Sequence, residues 1–321
     1  MHLAALWFLV NVVGRVPSQV LFPLAYLGGT LAWHLSSPLQ RVTRDHMRHV
    51  LGPRARDRDV DRAARACARA AAQGYAAFAH LPHLSPARVH ASVIAFDGLD
   101  MLLAARDAGQ GAVLISAHLG AAEVLTHAAP AFGLDFAVIA EPLRPRRVHD
   151  FVQSVRAVPG VRFITADLAG LREARAHLAA GGMLGLLVDR DVLGTGRPFA
   201  FFGERALMPT GAVELARRTG VPIIAIWVLR EGASRYRLLA ERVTLPPATG
   251  DRAADVDSGM RALIAALEGG IRRAPGQWTA LVPVWSGLAA DREASARFGT
   301  RFDNTGPYNE GDGERTELHG R

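Results

Sequence analysis

From residue 111 onward, short apolar runs alternate with longer amphipathic ones. "GAVLISA" (111–117), "DFAVIAE" (135–141), "VRFITA" (161–166), "MLGLLVD" (183–189) and "PIIAIWVLR" (222–230) read as buried strands. Between them, residues 146–158 predict a helix with Val148, Phe151, Val152 and Val155 on one side. Residues 168–182 predict a second helix ended by paired glycines, and 211–220 a third closed by Gly220. "RYRLLAERV" (235–243) is a further strand; the short "VLREGASRYRL" link predicts an antiparallel hairpin with the strand before it, and 255–275 a last helix. Upstream, 60–81 and 85–108 read as helices separated by the break "HLPHLSP". Strands alternating with helices of about 10–15 residues predict an α/β domain, its sheet mixed but mostly parallel and flanked by helices.

The first forty residues follow neither pattern. Arg15 is their one charge, and the uncharged run 16–40 is long enough to cross a bilayer, which takes about 20 residues. Pro17, Pro23, Gly28, Gly29 and His34 interrupt it, and no basic residue precedes the first apolar run as it would in a secretory signal. The reading is an uncleaved anchor lying in or dipping into the membrane interface, with a spanning helix or buried core helices as alternatives. The arginine-dense segment that follows, "RVTRDHMRHVLGPRARDRDVDR", suits anionic headgroups beside such an anchor. The expected organisation is an apolar anchor segment at 1–45, an α/β domain at 46–290, and a polar, Gly-rich, disordered tail at 291–321.

Composition narrows the partners. All 37 basic residues among the 321 are arginine, and the net charge is +7, which favours an anionic partner. The arginines are scattered without an aromatic-rich basic motif, so nucleic-acid binding is not expected. One cysteine, Cys67, excludes a disulfide framework and a cysteine metal site.

Candidate chemistry concentrates in "VLISAHLGAAEVL" (113–125), where His118 falls at a strand-to-helix turn and Glu123 in the helix that follows. Sites in open α/β sheets form outside the carboxyl ends of strands. Because His118 precedes the helix, its ring is expected to fold back onto Glu123, which would fix the tautomer and leave the other nitrogen to act as a general base. The alternative is a satisfied core histidine and a surface glutamate. A metal reading groups His118 with the i, i+4 pair Glu123 and His127, without any H-E-x-x-H run; "HLPH" (80–83) is weaker still. No G-x-S-x-G elbow and no lysine-bearing phosphate loop occurs in the chain.

The H-x4-E pattern resembles the H-x4-D/E motif of lysophospholipid-type acyltransferases, most closely the bacterial branch that acylates lipid A precursors and phosphatidylinositol mannosides. Blocks agree in order across residues 5–287: the apolar N-terminus with its arginine-rich helix, "GAVLISAHLGAAE", "FVQSVRAVPGVRFI", "GGMLGLLVDRDVLGTGRPFAFFGERALMPTGAVELARRTGVPII" and "APGQWTALVPVW". The chain departs from the pattern at Ala225, at Thr279 and in the small "LGAA" after His118. The resemblance implies a glycerolipid-acyltransferase-like fold with N-terminal membrane-anchoring helices, at the cytoplasmic face of the cell membrane. It implies direct transfer of a fatty acyl chain from acyl-CoA or acyl-carrier protein to a glycolipid hydroxyl, with no cofactor and no metal. The expected acceptor is a phosphatidylinositol mannoside, with a lipid A precursor, or hydrolysis of the thioester by the same pair, as alternatives. His118 and Glu123 are then the catalytic pair, Arg156 the group for a phosphate or developing charge, and Asp189, Asp191, Arg190 and Glu204 candidates for substrate binding, with Arg197 flanking the same loop.

Overall fold

The computed structural model describes residues 3–285. Five of seven strands in its central sheet point one way. The order across the sheet is β1 (Val93–Asp97), β9 (Tyr236–Val243), β8 (Ile223–Arg230), β2 (Ala112–Ser116), β5 (Met183–Leu187), β3 (Phe136–Ala140) and β4 (Val161–Thr165). β8, β2, β5, β3 and β4 are mutually parallel; β9 runs antiparallel to β8, as the short link predicted, and β1 pairs parallel to β9.

Both faces of this sheet are covered, which is why its strands read as unbroken apolar runs. In β2, Val113 and Ile115 join a core with α9 (Leu168–Ala179), α10 (Gly211–Thr219) and α11 (Arg252–Arg273) through Leu178, Val213 and Leu263. The alternate residues Ala112 and Leu114 face α6 (Leu99–Asp107) through Leu102. Helix starts carry their own signals: the Asp167 side chain accepts from the Gly170 N–H (2.7 Å) ahead of α9, and Asp251 accepts from Ala253 and Ala254 ahead of α11.

Two expectations are corrected. Residues 85–108 are not one helix but α5 (Pro86–Ser92), the edge strand β1 and α6, because "VIAFD" finds a partner in β9 that overrides its local helical context. The stretch after Arg190, assigned to no element, holds the antiparallel hairpin β6 (Arg197–Phe201) and β7 (Glu204–Met208). Its turn places Phe202 and Gly203 both at positive φ, a primed hairpin turn without the usual Asn-Gly or Asp-Gly signature.

At the N-terminus, α1 (Leu3–Asn11) and α2 (Ser18–Leu35) are followed by α3 (Ser37–Leu51) and the long α4 (Asp57–His80). Leu21 and Phe22 of α2 are buried with Ala76, Ala77 and Leu81, so one side of this segment is core. Among the described residues no helix is long and apolar enough to cross a membrane. The polar tail expected at 291–321 lies outside the described residues.

Candidate active site

β2 and β5 are neighbours, and their carboxyl ends deliver His118 and Asp189 to the same point. The Nδ1 of His118 lies 2.8 Å from Asp189 Oδ1, and the His118 backbone N–H donates to Oδ2 (3.0 Å). The indole Nε1–H of Trp278 also donates to Oδ2, at 2.8 Å. Asp189 is fully buried. Burial pushes its carboxyl up, but the charge and hydrogen bond of His118, with the donors from Trp278 and the His118 backbone, outweigh it and hold the group down at about 2. An ionised carboxylate only accepts, so Nδ1 of His118 carries the hydrogen and Nε2 is left with its lone pair. The side chain of His118 is 26% exposed, so substrate can reach it.

The backbone around His118 is strapped down. Its carbonyl accepts from the N–H (2.6 Å) and hydroxyl (3.0 Å) of Thr279, and the Gly120 N–H donates to the Gln277 carbonyl (2.9 Å). Gly120 sits at φ +68, where a Cβ would lie 1.8 Å from the Val228 carbonyl oxygen. Only glycine fits both the angle and the space.

The expectation that Glu123 orients His118 is therefore corrected: the carboxylate on the ring is Asp189. Glu123, in the first turn of α7 (Ala122–Ala128), is held instead by Arg156 at the end of α8 (Arg146–Arg156), whose Nε (2.9 Å) and a terminal nitrogen both donate to Glu123 Oε1. A helix that starts only at Ala122 sets Glu123 toward α8 rather than back over the turn. A second ion pair joins Arg190 to Glu141, at 3.2 Å. Burial raises the Glu141 carboxyl, opposed by the charges of Arg190 and His118, which places this pair within electrostatic reach of the imidazole. A base with an open lone pair, oriented by a buried anion and with the Arg190–Glu141 ion pair in electrostatic reach, can deprotonate a hydroxyl.

The sequence model of bacterial lipid A biosynthesis acyltransferases matches residues 3–286. The chain belongs to that family. It is an acyl-transferring enzyme of lipid biosynthesis. It is also 28% identical over 227 residues to a phosphatidylinositol mannoside acyltransferase of Mycolicibacterium smegmatis, covering 68% of this chain and 71% of that protein. A phosphatidylinositol mannoside acyltransferase of Mycobacterium tuberculosis is 29% identical over 206 residues, covering 62% of this chain and 63% of that protein.

In this acyltransferase the remaining predicted residues lie apart from the imidazole's hydrogen-bond shell. Asp191 spends its carboxylate on the backbone N–H groups of Gly194, Thr195 and Gly196, so it shapes the loop after β5. Glu204, at the start of β7, accepts from His49 Nε2 (2.9 Å) on α3. Arg197 pairs with Asp257 of α11, at 2.7 Å. His127, of the metal reading, turns Nδ1 to the Glu123 carbonyl (2.9 Å). Sequence reasoning missed Glu141 and the contribution of Trp278 to Asp189. The "QW" of the late block was the available signal for the tryptophan; Glu141 closes a strand that read as purely structural.

Behind Trp278 lies a buried aromatic group. His46 of α3 stacks on Trp278 (centroids 4.8 Å, planes 28° apart), and His49 stacks on Trp285 (3.8 Å, 6°). Burial lowers the His46 imidazole to about 3, helped by the charge of His49 and opposed by Asp189 and a hydrogen bond to the Val282 backbone. His46 is thus a neutral ring supporting the indole that supports Asp189.

Proposed function

We propose that this acyltransferase moves a fatty acyl chain from an acyl-CoA or acyl-carrier-protein thioester to a hydroxyl of a glycolipid, a phosphatidylinositol mannoside. The observation that carries the reading is the His118–Asp189–Trp278 arrangement, which leaves Nε2 as an accessible base. Nε2 takes the acceptor's hydroxyl proton as that oxygen attacks the thioester carbonyl. The tetrahedral intermediate collapses with loss of the thiolate, and the imidazolium returns the proton to the sulfur. No covalent acyl-enzyme is needed, because the alcohol itself is activated. Asp189 fixes the tautomer and stabilises the imidazolium. Arg190, whose partner Glu141 feels the charge of His118, and Arg156, held by Glu123, supply the guanidinium groups to stabilise the oxyanion or hold a headgroup phosphate. The two mycobacterial relatives bear the name of the mannoside enzyme, which supports that acceptor; the family's own name supports a lipid A precursor as the second reading.

The work place is the cytoplasmic face of the cell membrane, with α1 and α2 as an interfacial anchor. Trp7, Phe8, Leu24, Leu27, Leu31 and Leu35 are all exposed, which supports this.

The test is mass spectrometry of lipids after membranes carrying the protein are incubated with a palmitoyl thioester, wild type beside His118→Ala. An acylated phosphatidylinositol mannoside formed only by wild type is expected. An acylated lipid A precursor would shift the acceptor to the second reading. Free fatty acid without an acylated lipid would make the protein a thioesterase, and equal profiles would remove His118 from the chemistry.

A further inference from the structure

The two faces of α2 differ sharply. Phe22, Gly29 and Trp33 are buried, while Val20, Leu24, Leu27, Leu31 and Leu35 lie exposed on the opposite side at helical spacing. Gly29 lets α2 lie directly on α4: a Cβ there would meet the Ala68 carbonyl oxygen and the Arg69 Cα, each at 2.7 Å.

Along the flank where these helices meet, α4 carries Arg58, Arg62, Arg65 and Arg69, successive positions of one face. These four arginines and Asp61 line an open cleft of about 310 Å³. The one carboxylate is already engaged: Asp61 takes Nε (2.6 Å) and a terminal nitrogen (3.3 Å) of Arg44 on α3. Arg62 has a surface contact with Asp59 (3.2 Å). Two of the guanidinium groups are held in place by α2 itself. Arg65 lies over the Trp33 ring (4.9 Å), and Arg69 lies over the Tyr26 ring (4.3 Å) and donates to the Thr30 hydroxyl (2.8 Å).

We propose that this arginine cleft beside α2 is a docking site for the phosphate-bearing headgroups of anionic membrane lipids, separate from the site around His118. Charge complementarity and position both argue for a lipid. A helix whose apolar stripe sinks about 5–10 Å into the interface brings its flank to the level of the phosphates. The flank of α2 is where the arginines sit, and a planar guanidinium fork matches a phosphate. The row thus fixes how the protein sits on the surface, with the apolar stripe down and α4 at phosphate level. The inference rests on the reading of the protein as a membrane-surface enzyme.

The test is vesicle flotation of the full chain with phosphatidylcholine alone and with phosphatidylcholine containing phosphatidylinositol, at low and high salt. Wild type is expected to prefer the phosphatidylinositol vesicles and to lose that preference in salt. Arg58→Gln with Arg62→Gln removes two exposed members that do not pack on α2. Partitioning to the anionic vesicles should fall roughly fivefold per guanidinium removed, with binding to neutral vesicles unchanged. Arg69→Gln, checked by thermal melt for intact folding, should add a further loss. Equal binding of wild type and variants to anionic vesicles overturns the inference. If the variants float normally yet lose transfer from an acyl-carrier protein while keeping transfer from acyl-CoA, the cleft is a carrier-protein site and the inference is likewise overturned. If wild type binds neither vesicle, the membrane reading fails with it, while transfer to detergent-dispersed acceptor still reads the His118 chemistry independently.

Discussion

The Nε1–H of Trp278 and the Nδ1–H of His118 grip opposite oxygens of one buried carboxylate, Asp189, each at 2.8 Å. Their partner's ionised state is thus fixed by groups 71 and 89 residues away in sequence. The imidazole's orientation is a property of three chain segments meeting, and each segment can be tested.

Asp189→Asn keeps the size of the side chain but lets its amide donate to Nδ1, which favours the tautomer with the hydrogen on Nε2. The base is then lost. Transfer activity should fall roughly a thousandfold or more, with the fold retained, as expected for an acid–imidazole pair set in the wrong tautomer. Glu123→Gln should fall far less, about tenfold, because Asp189 still orients the ring. Steady-state kinetics of the two variants side by side decide the matter; a larger loss at Glu123 would return the imidazole's partner to the H-x4-E motif.

Trp278→Phe retains an aromatic ring against His46 but removes the donor. A buried carboxylate that loses one of its hydrogen bonds should destabilise the protein by about 1–3 kcal/mol, read as a lower denaturant midpoint. Activity should fall in kcat with little change in KM, because Trp278 touches Asp189 rather than substrate. A selective rise in KM would instead make the indole part of the lipid pocket.

His46 makes stability depend on pH. Above the ordinary histidine value of about 6.5 it is neutral in both folded and unfolded chains, so it contributes no pH dependence. Below that value the unfolded chain takes up a proton that the folded one refuses down to about 3. The folded state is therefore progressively disfavoured as pH falls through this window. Between about pH 7.5 and about pH 5.5 the loss from this one group should be about 1.4 kcal/mol. His46→Phe should remove that increment from the difference between denaturation curves at the two pH values. An unchanged difference would mean the ring is not buried in solution.

The central strands were legible because burial on both faces left no polar alternation to confuse them: Val113 and Ile115 pack one way, Leu114 the other. The edge strand β1 was not, since "VIAFD" carries five residues of weak signal between helices, and its pairing with β9 is a long-range event. The hairpin β6–β7 was hidden by its Phe202–Gly203 turn. At the site, His118 was found because a strand-to-helix turn is a local pattern. Glu123 was matched to it by proximity in sequence. Asp189 belongs with His118 through the adjacency of β2 and β5, and strand order is not written in any local spacing.

The backbone at Gly120 carries a consequence for how such enzymes are recognised and altered. In the motif written H-x4-E, position 120 is an anonymous x, yet it is the narrowest point of the turn, with the Val228 carbonyl occupying the place of a side chain. An alanine there would push β8 away from the turn or swing His118 off Asp189, disabling the base without touching a single ionisable group. The first letter of the motif names the base, while one of its blanks sets that base's aim.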